Sequence, residues 1–264
     1  MEENKILFLG TAGDVGSVNK QLRGSGGIVF VYNGSQYHID PGPSSLKQCK
    51  QFGVNPRNTL CLIVTNNNLG HCNDTNAMIS AMTHDGMDNR GVLVAAKSII
   101  EGSESENPVL WKRFRPYLER NIIINPNERV GINEVEFYAI PARTRDPTGV
   151  GLKIVTSEFT LAYTSDTKYS PGLIRNYEDA DILIIKTVSL NNEENTEKLN
   201  ISETIKIIKD TVPKVVILTG FGSKLISADP IFIARDIQRE TGVQVIAAHD
   251  GLIINPSHYK KIAK

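Results

Sequence analysis

The sequence is poor in several features at once. It has one tryptophan and three cysteines, Cys49, Cys61 and Cys72, in 264 residues. An odd set of thiols without paired-ligand spacing excludes a disulfide framework and a cysteine-bound zinc, and it fits a reducing compartment. Net charge is missing too. Lys and Arg total 29, as do Asp and Glu, so no overall field attracts nucleic acid or an anionic membrane, and any such binding must be local. The longest apolar runs, such as Ile182 to Ile185, fall far short of a membrane span, and no apolar signal region precedes the first predicted strand. The expected location is therefore the cytoplasm, with no membrane partner. What is present, 40% hydrophobic residues, is enough for a sizeable core in a single domain over residues 1–264.

Short apolar runs closed by turn residues dominate the pattern. Lys5 to Leu9 ends in glycines, and Ile28 to Tyr32 and Gln36 to Ile39 flank Asn33-Gly34, a hairpin with its preferred turn. A helix follows from Ser44 or Ser45 to Gly53, then a strand at Cys61 to Val64, a polar segment at Thr65 to Gly70, and a helix over His71 to Met82. The stretch from about 83 to 133 is less regular and reads as peripheral. It includes the basic Trp111 to Arg120, which the spacing predicts as an amphipathic helix with a solvated basic face. From Glu134 onward strands recur at Val135 to Ile140, Leu152 to Val155, Phe159 to Tyr163 and Ile182 to Ile185. A polar loop over Asn191 to Asn200 follows, then a helix opened by Ser202 with Glu203, a strand at Val215 to Leu218, a helix from Asp229-Pro230, and a strand at Val243 to Ala247. Hairpins in each half followed by strands alternating with helices predict two layers of mixed sheet covered by helices, an α/β fold of four layers.

In such architectures chemistry sits on loops at strand ends. Ile39-Asp40-Pro41-Gly42-Pro43, followed by Thr65-Asn66-Asn67-Asn68-Leu69-Gly70-His71 after a strand, resembles the metallo-β-lactamase superfamily, whose corresponding strand end reads His-x-His-x-Asp-His. Asp146-Pro147-Thr148-Gly149, Asp166-Thr167, Asn200-Ile201-Ser202, Gly220-Phe221-Gly222 and His249-Asp250-Gly251 match, in order, later landmarks of the ribonuclease Z-like branch. The resemblance spans roughly Ile6 to Ile254 and implies an αββα sandwich of two mixed sheets, the metallo-β-lactamase fold.

It also implies a site for two metal ions, and there the chain departs from the pattern. Positions expected to hold ligating histidines carry Asn66, Asn68, Thr144 with Arg145, and Gly220; the expected aspartate is Gly70, and an outer histidine is Asn200. His71 and Asp166 alone match as ligands, beside Asp40, which is usually structural. A catalytic zinc takes about three protein ligands and an open position for water, so two are too few. Amide oxygens suit calcium or magnesium and hold zinc poorly. Without a metal to lower its pKa, water is a feeble nucleophile at neutral pH. No cofactor is therefore expected; the alternative is zinc, manganese or magnesium at a weak site on His71 and Asp166.

The candidate pocket is Asp40, Asn66, Asn68, His71, Arg145, Asp166 and Asn200. The asparagines are either a polar binding loop or turn residues. His71 and Asp166 are either remnants of a site or hydrogen-bonded core groups. Arg145 either fills the former metal cavity against Asp166, binds an anion, or is solvated beside Asp146. The resulting expectation is a non-catalytic binding or regulatory subunit with a protein partner or a small polar or anionic ligand. The alternatives are a metal-dependent hydrolase of phosphodiesters with a rebuilt single-metal site, and an RNA-associated factor using Arg113 and Arg115, which the net charge does not support.

Overall fold

A computed structural model describes residues 3–191 and 197–260; positions within the predicted polar loop at 192–196 lie outside the described residues. The strands form two sheets. The first runs, edge to edge, Ile253–Ile254, Lys5–Phe8, Ile28–Tyr32, Ser35–Ile39, Thr59–Val64, Val92–Ala95 and Arg120–Ile123. The second runs Gln244–Ala247, Val215–Thr219, Ile182–Ser189, Thr160–Tyr163, Val150–Val155, Val135–Pro141 and Arg129–Ile132, with Leu199–Asn200 beside Ile182–Ser189. Each sheet is mixed: hairpins pair antiparallel, and the helix-connected strands pair parallel.

Alternation along the strands builds the layers. Ile6 and Phe8, Ile28 and Phe30, Ile182 and Ile184, and Val215 and Ile217 meet between the two sheets. Their neighbours Leu7, Leu9, Val29 and Val31 face the other way, onto Cys49, Met78, Ile79 and Met82 of the helices over the first sheet. Leu183, Ile185, Val216 and Leu218 pack against Ile207, Ile208, Ala234 and Ile237 of the helices Ile201–Thr211 and Pro230–Thr241 over the second. A strand has period 2 and both faces of each sheet are covered, so both sets of positions are apolar. Three apolar clusters separating four layers give the αββα sandwich that the sequence predicts. The Asn33-Gly34 turn closes its hairpin with both residues at positive φ, 47° and 77°, as a two-residue turn of this kind requires.

The segment 83–133 is not peripheral throughout. Val92–Ala95 is a buried strand paired parallel with Thr59–Val64 on one side and Arg120–Ile123 on the other. Its four residues were too few to show a period. The predicted basic helix is a short 3₁₀ turn, Lys112–Tyr117, because Pro116 inside it cannot donate the helical hydrogen bond. Among the described residues no helix is long and apolar enough to cross a membrane.

Candidate functional site

The parallel strands of both sheets end at one edge of the sandwich, and the loops leaving them converge. Asp40 follows Ser35–Ile39 at a positive φ of 55° and organises the floor of the site. Its Oδ1 accepts from the Thr65 backbone N–H at 2.8 Å. Its Oδ2 accepts from the Thr65 hydroxyl at 2.9 Å, the Tyr163 hydroxyl at 3.0 Å and His71 Nδ1 at 2.7 Å. Burial, with Asp40 and Asp166 close by, pushes the Tyr163 phenol well above its ordinary pKa, so it stays a donor. These bonds fix the His71 ring with Nδ1 protonated and Nε2 turned towards the second sheet.

There Nε2 meets Lys186, a residue the sequence reading passed over. Lys186 Nζ lies 2.6 Å from His71 Nε2 and 2.9 Å from Asp166 Oδ1, while Asp166 Oδ2 sits 3.2 Å from the same imidazole nitrogen. Asp166 Oδ2 also accepts from Asn68 Nδ2 at 3.0 Å. The Lys186 and Asp166 side chains are only 8% and 2% exposed, which makes this a buried ion pair. Burial alone would raise the Asp166 pKa, but the Lys186 ammonium beside it holds it well below the carboxylate range. For His71, burial and Lys186 act downward, the Asp166 and Asp40 carboxylates act upward, and the carboxylates prevail. At 2.6 Å the amine and the imidazole cannot each aim a proton at the other, so the pair shares one. With Lys186 as ammonium, His71 is the acceptor.

Two local features make this placement possible. Ile182 and Ile184 face the space between the sheets, and Lys186, two residues further on, occupies the same side where that space opens to solvent. Gly220, at the end of Val215–Thr219, has φ of 65°, and a Cβ there would lie 2.6 Å from Lys186 Cε. The position where the resemblance expects a histidine is thus empty of side chain, and the lysine stem runs through it. The visible signal was a lysine set in Ile182–Ser189, a strand buried along its whole length.

Other predicted residues divide. Asn66 Oδ1 accepts from the Asn68 N–H at 2.9 Å, and its Nδ2 donates to Thr65 Oγ1 and Ser165 Oγ. Asn68 caps the helix Leu69–Cys72 through Gly70 N. The asparagines are therefore both loop-builders and donors to the site, each amide oxygen accepting one backbone N–H. Arg145 is exposed at the rim of the cleft and does not fill it; Asp146 is buried and accepts from Asn67 N, Ser98 Oγ and Thr148 Oγ1. Asn200 is a helix cap. Its side chain accepts from Glu203 N at 3.0 Å, and Glu203 accepts from the Asn200 N–H at 3.1 Å, a capping box that starts the helix at Ile201, one residue before Ser202. Of the basic arm, the Arg113 guanidinium stacks 4.5 Å from the Phe114 ring centre, and Arg115 donates to Ile100 O.

Above this floor lies a cleft of about 1010 Å³, lined by Asn66 to His71, Arg145, Asp166, Lys186, Lys198 and the segment Ala12 to Gly16. An ammonium stands between His71 Nε2 and Asp166, the only two matched ligands, and the other imidazole of the region, His38, is buried against Gly26 O. Among the described residues, no three His, Cys, Asp or Glu side chains form a metal-binding group.

The comparisons with known proteins agree with this architecture. Residues 36–221 match the family model described as the beta-lactamase superfamily domain. An uncharacterized protein of Methanocaldococcus jannaschii, MJ1374, is 28% identical over 250 residues, covering 94% of this chain and 93% of its own. Among solved structures, the metallo-beta-lactamase fold protein YhfI from Bacillus subtilis is similar with a TM-score of 0.80 at 16% identity, covering 96% of this chain and 99% of that one. A diphosphatase from the PhnP family has a TM-score of 0.71 at 15% identity, covering 95% and 97%. The short form of human tRNase Z has a TM-score of 0.66 at 14% identity, covering 95% and 98%. With the family model covering most of the sequence and the sandwich present in full, the chain belongs to the β-lactamase superfamily and has the metallo-β-lactamase fold.

Proposed function

We propose that this chain is a binding or regulatory member of its superfamily, that its cleft receives a small polar or anionic molecule, and that it does not hydrolyse substrates with metal-activated water. The observation that supports this is Lys186. Its ammonium lies against both His71 Nε2 and Asp166, so these groups have a cation already and no open position at which water could be bound and ionised. The cleft itself remains open at about 1010 Å³, ample for a small molecule. The three cysteines are unpaired and buried, which supports a cytoplasmic location.

Hydrolysis, as the names of the PhnP-family diphosphatase and tRNase Z describe for those proteins, would require the lysine to leave. The test is elemental analysis of purified protein together with turnover of a generic phosphodiester in added zinc, manganese or magnesium. The expected result is no stoichiometric transition metal and no chelator-sensitive turnover. Two tightly held zinc ions per chain, or turnover that a chelator abolishes, overturns the proposal.

A further inference from the structure

An ammonium has three donors. One of those of Lys186 meets His71 Nε2, the ammonium pairs in charge with Asp166 Oδ1 at 2.9 Å, and among the described residues its Nζ has no other hydrogen-bond partner. Lys198 lines the same cleft and is partly buried; its Nζ donates to Gly13 O at 2.6 Å, and its remaining donors likewise have no partner among the described residues. The carboxylates of the cleft are, by contrast, largely engaged. Asp14 accepts from Ser17 N, Ser223 N and Ser223 Oγ. Asp146 accepts from Asn67 N, Ser98 Oγ and the Thr148 N–H and hydroxyl. Glu106 accepts from Asn67 Nδ2, Asp166 is held by Lys186 and Asn68, and Glu197, beside Lys198, lines the cleft with no hydrogen bond to a described residue. The donors these two lysines leave to a ligand are cationic, and an oxyanion would give them charge-assisted partners.

We infer that Lys186 and Lys198 form an oxyanion site, and that the ligand of the cleft carries a phosphate or carboxylate whose oxygens take the unused N–H groups of both lysines. This rests on the reading of the cleft as a binding site and names the chemistry of what it binds. Charge-assisted bonds from two amines to one oxyanion are the strong kind, and the anion also screens one cation from the other. The mutual effect is visible in Lys198: burial lowers its pKa, Asp166 raises it and the Lys186 charge lowers it again, with a net fall from the ordinary value. Asp166 remains beside the site as a negative neighbour. Its charge is matched by Lys186, and Lys198 has no ion pair among the described residues, though the Asp14 and Asp166 charges act on it.

The test is titration calorimetry of the full chain at low ionic strength with inorganic phosphate, pyrophosphate and citrate. One oxyanion is expected to bind per chain, and whether the phosphates or citrate bind identifies which acid group the natural ligand carries. Lys198→Met, whose loss removes a single hydrogen bond to Gly13 O, should weaken that binding about tenfold or more with no change in fold by circular dichroism. Lys186→Met combined with Asp166→Asn, which removes the ion pair without leaving a lone buried charge, should weaken it similarly. Failure of the wild type to bind any of the three at millimolar concentration overturns the inference, as does undiminished binding by Lys198→Met. The metal and turnover measurements separate the two claims: metal-free, inactive protein that ignores oxyanions loses only the two-lysine site, whereas zinc-loaded, active protein loses the underlying reading.

Discussion

Replacing Lys186 with methionine tests the central contact of the molecule most directly. Methionine keeps the apolar stem beside Gly220 and removes the ammonium from Asp166, which is 2% exposed. Breaking a buried pair on one side costs about 3–5 kcal/mol, because a carboxylate is left without its counter-charge. At roughly 2–3 °C per kcal/mol for a chain of this size, the thermal midpoint should fall by about 6–15 °C. His71 modulates the loss. With Lys186 gone its Nε2, 3.2 Å from Asp166 Oδ2, is free to take a proton and replace part of the missing charge, so the variant should be less impaired at pH 5.5 than at pH 8. Asp166→Asn in the same chain should restore stability to within about 1–2 kcal/mol of wild type, since no lone buried charge remains. The assay is urea unfolding of wild type, both single variants and the double variant. A coupling below about 0.5 kcal/mol, or a Lys186→Met cost independent of pH, would refute the reasoning.

Two further outcomes follow from the same geometry. Gly220→Ala should destabilise by about 1–3 kcal/mol, because a Cβ at φ 65° would also lie 2.6 Å from Lys186 Cε. In a Lys186→Ala background the clashes with Cε and Cγ are gone, leaving a 3.1 Å contact with Cβ and the backbone cost, so the loss should be smaller, and equal costs in both backgrounds, read by thermal unfolding, would show that the lysine stem does not need the space. His38 supplies a pH dependence. It is buried, its Nε2 bonds to Gly26 O at 2.7 Å, and burial lowers its pKa from 6.5 to about 4. The unfolded chain therefore binds a proton that the folded chain does not, and stability contributed above pH 6.5 is lost as pH falls towards 4. The slope is about 1.4 kcal/mol per pH unit within that window. His38→Gln should flatten the wild-type decline between those values, and an unchanged profile would reject His38 as its source.

The layers were legible because alternation, turn chemistry and short runs agree along most of the chain. Asn33-Gly34 and the isoleucine-rich strands each carry their own local signal. Val92–Ala95 lacked one, since four apolar residues between irregular segments have no period to read. The site was legible only in outline. Asp40, His71 and Asp166 could be placed at strand ends by order alone, and they do meet. Asn200 is a helix cap, a role that Glu203 three residues later signals in the sequence. Lys186 escaped because its role depends on a pairing across the two sheets, Ile182–Ser189 in one and His71 beyond the end of Thr59–Val64 in the other. The clue was the same alternation that identified the strand: a lysine in the register of Ile182 and Ile184 has to surface at the open end or be paired, and here it does both.

A cation attached through a side chain has no dissociation rate. Lys186 is supplied once per polypeptide during translation, at fixed stoichiometry, and neither a chelator nor a shortage of trace elements removes it. The charge that Lys186 contributes at the bottom of the cleft is therefore inherited with the gene and set in place when the chain folds.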